Sequence, residues 1–342
     1  MHWTSIFLAF IARWTVTAAS AHRKLFIDSD LFSDVDDAGA LLLALTHNNV
    51  DVLGLNINYP STYSGLAASS LLGYYGHSDV PLGVKRPISN DTYFDDYIFQ
   101  NGEYASKVAY HWRDNSSLPW LDASATWDPV ELYRKVLSEQ DDHSVTIASI
   151  GFLDNLSGLL SSSADAYSKL SGKDLITAKV REFVVMGGSY PSGSEYNFFG
   201  YNATAVAHVV NNWPGPMTFL GGSLGERVMS GARLTVEGPD GDPVRAAYQW
   251  YTGYNTTRPS WDPLTILYAI EGLSRVFRFG NDGGHNYVFP NGSNEWRKES
   301  KDEAQHYLDL RVSDTEAGTI LDNYFQWGAE KAKYQCKKHL EL

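Results

Sequence analysis

A chain of 342 residues that is 43% hydrophobic and 13% aromatic can bury a sizeable core, which excludes a disordered or fibrous protein. Its formal charge of −13 argues against nucleic acid polymers, which need basic surfaces. The single cysteine, Cys336, excludes an internal disulfide, so the fold rests on its core or on a bound ion.

Residues 1–21, MHWTSIFLAFIARWTVTAASA, pair an apolar segment with Ala19-Ser20-Ala21, the small-residue pattern of a signal-peptide cleavage site. A secretory leader is expected there, with the mature domain spanning 22–342; an amphipathic N-terminal helix is the alternative. Arg13 interrupts the apolar stretch, and no later segment is long enough to span a bilayer, so no membrane partner is expected. Six N-x-[ST] sequons, at Asn90, Asn115, Asn155, Asn202, Asn255 and Asn291, fit a secreted, extracellular glycoprotein.

Past the leader, strand-like and helix-like runs alternate. LFID (25–28), VDVLGLNIN (50–58), VPLGV (80–84), VTIASI (145–150), EFVVMGG (182–188) and MTFLGG (217–222) read as strands. Helices are expected at about 35–47, 64–76, 129–140, 153–162, 203–212, 243–252 and 262–272. Residues 90–127 are polar, aromatic and irregular, the pattern of an inserted cap or long loop. Short apolar runs separated by helices imply an α/β fold: one doubly wound, mostly parallel, Rossmann-like sheet with helices on both faces. Ligands of such sheets bind beyond the carboxyl ends of the strands.

The stretch KLFIDSDLFSDVDD at that position after the first strand carries five carboxylates: Asp28, Asp30, Asp34, Asp36 and Asp37. Carboxylates packed together raise one another's pKa values, and the helix N-terminus that follows offsets only part of that. Capping needs one or two aspartates, so a shared hard cation, which takes about six to eight oxygen ligands, is the better reading. An EF-hand is excluded, because Ser33 and Gly39 stand where its Gly and Glu belong and a strand precedes. A haloacid-dehalogenase-like phosphatase using Mg²⁺ shares D-x-D after the first strand but lacks the Asp-Asp pair opening the helix.

Asp28-Ser29-Asp30, a spacer, and Asp36-Asp37-Ala38 resemble the D-x-D…D-D-A fingerprint of the calcium-dependent inosine-uridine-type nucleoside hydrolases. The spacer is two residues longer than the commonest version, which leaves Asp34 without a role. Further segments match in the family's order: Leu153-Asp154-Asn155, Glu195-Tyr196-Asn197 and Trp261-Asp262-Pro263-Leu264. The resemblance implies Ca²⁺ held by Asp30, Asp37, Asp262 and the backbone carbonyl of Asp154, with Asp30 as general base. It implies a small-molecule ribonucleoside substrate, gripped by Asp36, Glu195, Asn197 and either Ser61 or Asn58. It also implies a homodimer or homotetramer. Asp28 is expected to support the ligands rather than bind the ion.

One departure bears on mechanism. Trp261 stands where many relatives place a histidine that protonates the leaving base, and an indole N–H is not acidic. An aromatic ring there would stack on the base instead; a core Trp and a non-catalytic nucleoside- or calcium-binding protein are the alternatives. His77, His111 and His285 are candidate donors that spacing does not separate.

Overall fold

The computed structural model describes residues 22–32, 34–90, 103–298 and 304–340, with side chains described as far as 334. The expected leader, residues 1–21, and part of the expected loop, 91–102, lie outside the described residues. The chain runs β1 (Arg23–Ser29), α1 (Asp36–Thr46), β2 (Val50–Ile57), α2 (Thr62–Tyr74), β3 (Leu82–Val84), α3 (Ala105–His111), α4 (Pro129–Ser138), β4 (Val145–Ile150), α5 (Asp154–Ser161), α6 (Gly172–Lys179) and β5 (Val180–Met186). Next come β6 (Ser192–Gly193), α7 (Tyr196–Phe199), α8 (Ala203–Asn212), β7 (Met217–Leu220), α9 (Gly222–Arg227), β8 (Met229–Ser230), α10 (Ala232–Glu237), α11 (Pro243–Tyr251), β9 (Arg258–Pro259) and α12 (Trp261–Glu271). The last segment adds β10 (Phe277–Phe279), β11 (His285–Val288), β12 (Asn294–Arg297), β13 (Gln305–Leu310) and α13 (Asp314–Leu340).

Eight strands form the main sheet in the order β10-β13-β7-β5-β4-β1-β2-β3. All neighbours are parallel except β10 against β13. Successive side chains of a strand point to opposite faces. Leu25 and Ile27 of β1 therefore enter one core and Phe26 the other; in β5, Val184 and Met186 oppose Phe183 and Val185. A strand covered on both faces has no polar side to show, which is why these strands read as unbroken apolar runs. One face is covered by α1, α2, α11, α12 and α13, the other by α4, α5, α6 and α8.

Strand β1 lies between β2 and β4, so the winding direction reverses there. At such a switch point the connections leave in opposite directions and open a crevice at the carboxyl ends. α1, which follows at once, is buried along its whole length. Its apolar composition suits a helix with no solvent face, packed against α12 and α13.

The structure departs from the sequence reading in two regions. The expected loop 90–127 carries a helix, α3, in its described part. Beyond residue 272 the chain adds two sheet strands, a hairpin and the 27-residue α13, none of which was expected. In α13 the buried Ala317, Leu321, Phe325 and Ala329 recur every fourth residue, a helical stripe diluted by charged residues on the other faces. Among the described residues no helix is long and apolar enough to cross a membrane.

Leu41→Ala tests the role of α1 as the buried carrier of the acidic turn. Leu41 is fully buried, so the variant should lose about 3 kcal/mol in denaturant unfolding, with little change in the slope of the transition.

Candidate active site

The acidic turn leaves the carboxyl end of β1 and enters α1 with Asp36 and Asp37 in the first helical turn. Asp28, Asp30, Asp36 and Asp37 are all buried, and Asp262 from the start of α12 is buried beside them. The N-cap residue Val35 makes no side-chain capping bond, so free backbone donors and the helix dipole offset part of this charge. Gly151, at the end of β4, lets the turn approach: a methyl group there would stand 2.6 Å from both the Asp30 nitrogen and Asp30 Oδ1.

The aspartates divide by environment. Asp28 is fully enclosed and its oxygens are occupied. Asn58 Nδ2 donates to Oδ1 at 2.7 Å, Tyr133 Oη to Oδ2 at 2.8 Å, and Asn155 Nδ2 to both at 3.2 Å. Burial pushes its pKa up to about 7 despite these donors. Asn58 Oδ1 in turn accepts from the Phe152 nitrogen, so Asp28 knits together the ends of β1, β2 and β4.

Asp36 and Asp37 are different. Asp36 Oδ2 accepts from the Asp262 nitrogen at 3.1 Å, and Asp37 Oδ1 accepts from Ser29 Oγ at 2.5 Å. The second oxygens, Asp36 Oδ1 and Asp37 Oδ2, are buried with no hydrogen-bond partner among the described residues. Burial, together with the neighbouring carboxylates, pushes Asp30, Asp36, Asp37 and Asp262 well above the ordinary carboxylate range. Asp262 is the second residue of α12 and not its cap, so capping does not account for it.

The remaining expected residues occupy the same rim. Glu195 caps α7 and accepts from the Asn197 nitrogen at 3.0 Å and the Gly188 nitrogen at 3.2 Å; burial raises its pKa to about 7. Asn197 Nδ2 turns back to the Met186 sulfur at 3.1 Å, at the end of β5. Ser61 is buried and its Oγ accepts from the Tyr63 nitrogen as the cap of α2, while Asn58 sits in the Asp28 network. The Asp154 carboxylate leans outward to Lys85 Nζ and Asn202 Nδ2, both at 2.9 Å, and holds the start of α5. Two of the six sequons are thereby explained as structural, since Asn155 and Asn202 spend their amides on Asp28 and Asp154. Asn90, Asn255 and Asn291 are exposed.

Trp261 is half-buried. Its indole N–H donates to the Gly222 carbonyl at 2.7 Å, and the ring fits over Gly225, where a methyl group would stand 2.2 Å from Cδ1. His77 bonds the Leu45 carbonyl, at the end of α1 opposite the carboxylates.

Three residues of this region had not been read from the sequence. Arg258 Nη2 bonds Asp34 Oδ2 at 2.6 Å, which gives the extra aspartate a partner. Burial works against the guanidinium charge, and Asp34 and Asp36 more than offset that, holding its pKa above the usual range. Tyr104 and Tyr248 are fully buried, their hydroxyls have no partner among the described residues, and burial first, then the nearby carboxylates, pushes both phenols well above their usual range. Nothing in local sequence pattern marks these three, because each arrives through tertiary packing.

A hard divalent cation suits the donors on hand. They are all oxygen, they are buried, and two of their oxygens lack a partner. Among the described residues no three His, Cys, Asp or Glu side chains already stand as a coordination set, so closing on an ion requires these carboxylates to rotate.

Comparison with known proteins fits this architecture. The family described as inosine-uridine preferring nucleoside hydrolase matches residues 25–338. A protein from Arabidopsis thaliana described as probable uridine nucleosidase 2 is 36% identical over 80 residues, 22% of this chain and 24% of that protein. This chain thus spans about a quarter of that relative's length. Among solved structures, an inosine-guanosine nucleoside hydrolase superposes with a TM-score of 0.66 at 16% identity, covering 90% of this chain and 99% of that one. A plant nucleoside hydrolase gives 0.64 at 17% identity, covering 89% and 99%. A purine-preferring ribonucleoside hydrolase from Gardnerella vaginalis gives 0.65 at 14% identity, covering 91% and 99%. At such identities the superpositions establish the fold.

Glu195 supplies a pH test. Its pKa of about 7 in the folded chain lies above the ordinary 4.5, so the folded state keeps a proton that the unfolded state releases. Its contribution to stability is therefore full below pH 4.5 and is lost as pH rises towards 7. Glu195→Gln removes the titration and keeps an acceptor for the backbone donors. Thermal unfolding of ligand-free protein should show the variant gaining on wild type from pH 5 to pH 8, by about 2 kcal/mol at most.

Proposed function

Because this chain belongs to the inosine-uridine preferring nucleoside hydrolase family, we propose that it hydrolyses the N-glycosidic bond of ribonucleosides, releasing free base and ribose. The observation that carries this reading is the buried acidic cluster at the end of β1, with the Asp36 and Asp37 oxygens left unpartnered. A sugar diol and a cation are what such a surface lacks.

Asp30, Asp37, Asp262 and the Asp154 carbonyl would hold the ion, which we take to be Ca²⁺, and it would supply positive charge to order a diol and acidify water. Asp30 takes the proton from the attacking water, since its carboxylate follows the end of β1 directly, and burial and the crowding of neighbouring carboxylates raise its affinity for a proton. Asp36 accepts from a ribose hydroxyl. Glu195 and Asn197 close the sugar from the opposite wall. As the glycosidic bond breaks, positive charge grows on the ribose, and the surrounding carboxylates stabilise it.

Trp261 cannot protonate the departing base, because its N–H is committed to Gly222. Its ring serves as a stacking wall, worth about 1–3 kcal/mol per base, and the base takes its proton from solvent. The phosphatase alternative needs Asp28 as an accessible nucleophile. Here Asp28 is enclosed and fully hydrogen-bonded, which disfavours that chemistry.

Ribose release from inosine, uridine and adenosine tests the proposal. Wild type should turn over at least one of them, chelator should abolish turnover, and added Ca²⁺ should restore it. Asp30→Asn should lower kcat by roughly 10³-fold while the chain stays folded. Ion binding without turnover by wild type would instead favour a non-catalytic nucleoside-binding protein.

We also propose that the protein is exported, a reading supported by the leader sequence and by three exposed sequons. N-terminal sequencing of protein from the culture medium should then begin at His22. Cell-retained protein starting at Met1 would contradict this.

A further inference from the structure

Two contacts tie the acidic turn to the start of α12. One is neutral, Asp36 Oδ2 with the Asp262 nitrogen. The other is charged, Asp34 with Arg258. Arg258 lies in β9, which pairs with β8, so its backbone is fixed four residues before Asp262. Its guanidinium is 5% exposed and stands 5.2 Å from the ring centroids of both Tyr251 and Trp261. An isolated buried Arg–Asp pair contributes little net stability, because both charges lose water. This guanidinium is not isolated with one acid. Asp36 acts on it as well as Asp34, and Asp36 in turn holds the Asp262 nitrogen and crowds the Asp262 carboxylate.

We infer that Arg258, held by Asp34, is the resident counter-charge of the acidic cluster: it keeps Asp36 and Asp262 assembled without a bound ion and limits how tightly a divalent cation is taken up. Arg258 is thus a positioning residue, and the longer β1 turn exists to carry the aspartate that holds it. A strap acting by shape alone is the competing account. The inference rests on the cluster taking a cation, as proposed above.

The two accounts separate in calcium affinity, measured by isothermal titration on chelator-stripped protein. If Arg258 acts by charge, the single variants move in opposite directions. Arg258→Met should bind Ca²⁺ about tenfold more tightly, Asp34→Asn about tenfold more weakly, and the double variant within about threefold of wild type. Arg258→Lys should also stay within about threefold of wild type. If the pair is only a strap, all four variants bind more weakly, and that result overturns the inference. Should Arg258→Met fail to fold, Arg258→Lys decides: wild-type affinity supports counter-charge and weakened binding refutes it. A wild-type chain that takes up no calcium contradicts the metal reading itself. Melting of the ion-free proteins then decides this inference: Arg258→Met melting several degrees below wild type with Arg258→Lys close to wild type supports it, and both variants melting equally low, or neither, refutes it.

Discussion

Mutual repulsion among buried carboxylates is the constraint around which this molecule is arranged. Asp28, Asp30, Asp36, Asp37 and Asp262 are all removed from water at the carboxyl ends of the strands. A charge so placed persists only when something offsets the lost hydration. The fold provides several partial offsets. The α1 N-terminus faces the turn, Ser29 and the Asp262 nitrogen donate to it, and Arg258 brings one positive charge. Together they leave Asp36 Oδ1 and Asp37 Oδ2 without a hydrogen-bond partner among the described residues, and the proposed cation and diol would meet that demand.

One residue type fills different roles because the surroundings differ. Asp28 receives donors on both oxygens and has no capacity left, so it acts as a brace between three strands. Asp36 and Asp37 each keep a buried oxygen without a hydrogen-bond partner among the described residues. Asp34 is paired with Arg258 and adds its charge to the crowding felt by Asp30 and Asp36. Asp154 turns its Oδ1 to Lys85 and Asn202, so its side chain anchors the start of α5. The enclosing shell thus decides which carboxylates are satisfied and which keep an oxygen unpaired.

Much of this was legible in the sequence. The β1 turn stands out because charge density at a strand end is local information, and the sheet stands out because strands buried on both faces carry unbroken apolar runs. The family fingerprint ordered Asp154, Glu195 and Asp262 along the chain. What stayed hidden depends on contacts between distant segments. Arg258 looks like an ordinary loop arginine until tertiary packing sets it against Asp34, 224 residues away. Tyr104 and Tyr248 are aromatic residues among many, and only burial shows their hydroxyls near the acids. Asn58 and Ser61 lie three residues apart after β2, too close for pattern to separate the brace from the helix cap. The strands after residue 272 are short, and β10 reverses direction, so neither length nor alternation announces them.

A crystal structure of the protein grown with millimolar calcium and soaked with ribose tests the central claim most directly. The account predicts one anomalous-scattering ion bonded by Asp30, Asp37 and Asp262, with two ribose hydroxyls on its open side and Asp36 within hydrogen-bond reach of one. A pocket free of ion, with those three carboxylates still turned apart, would contradict it.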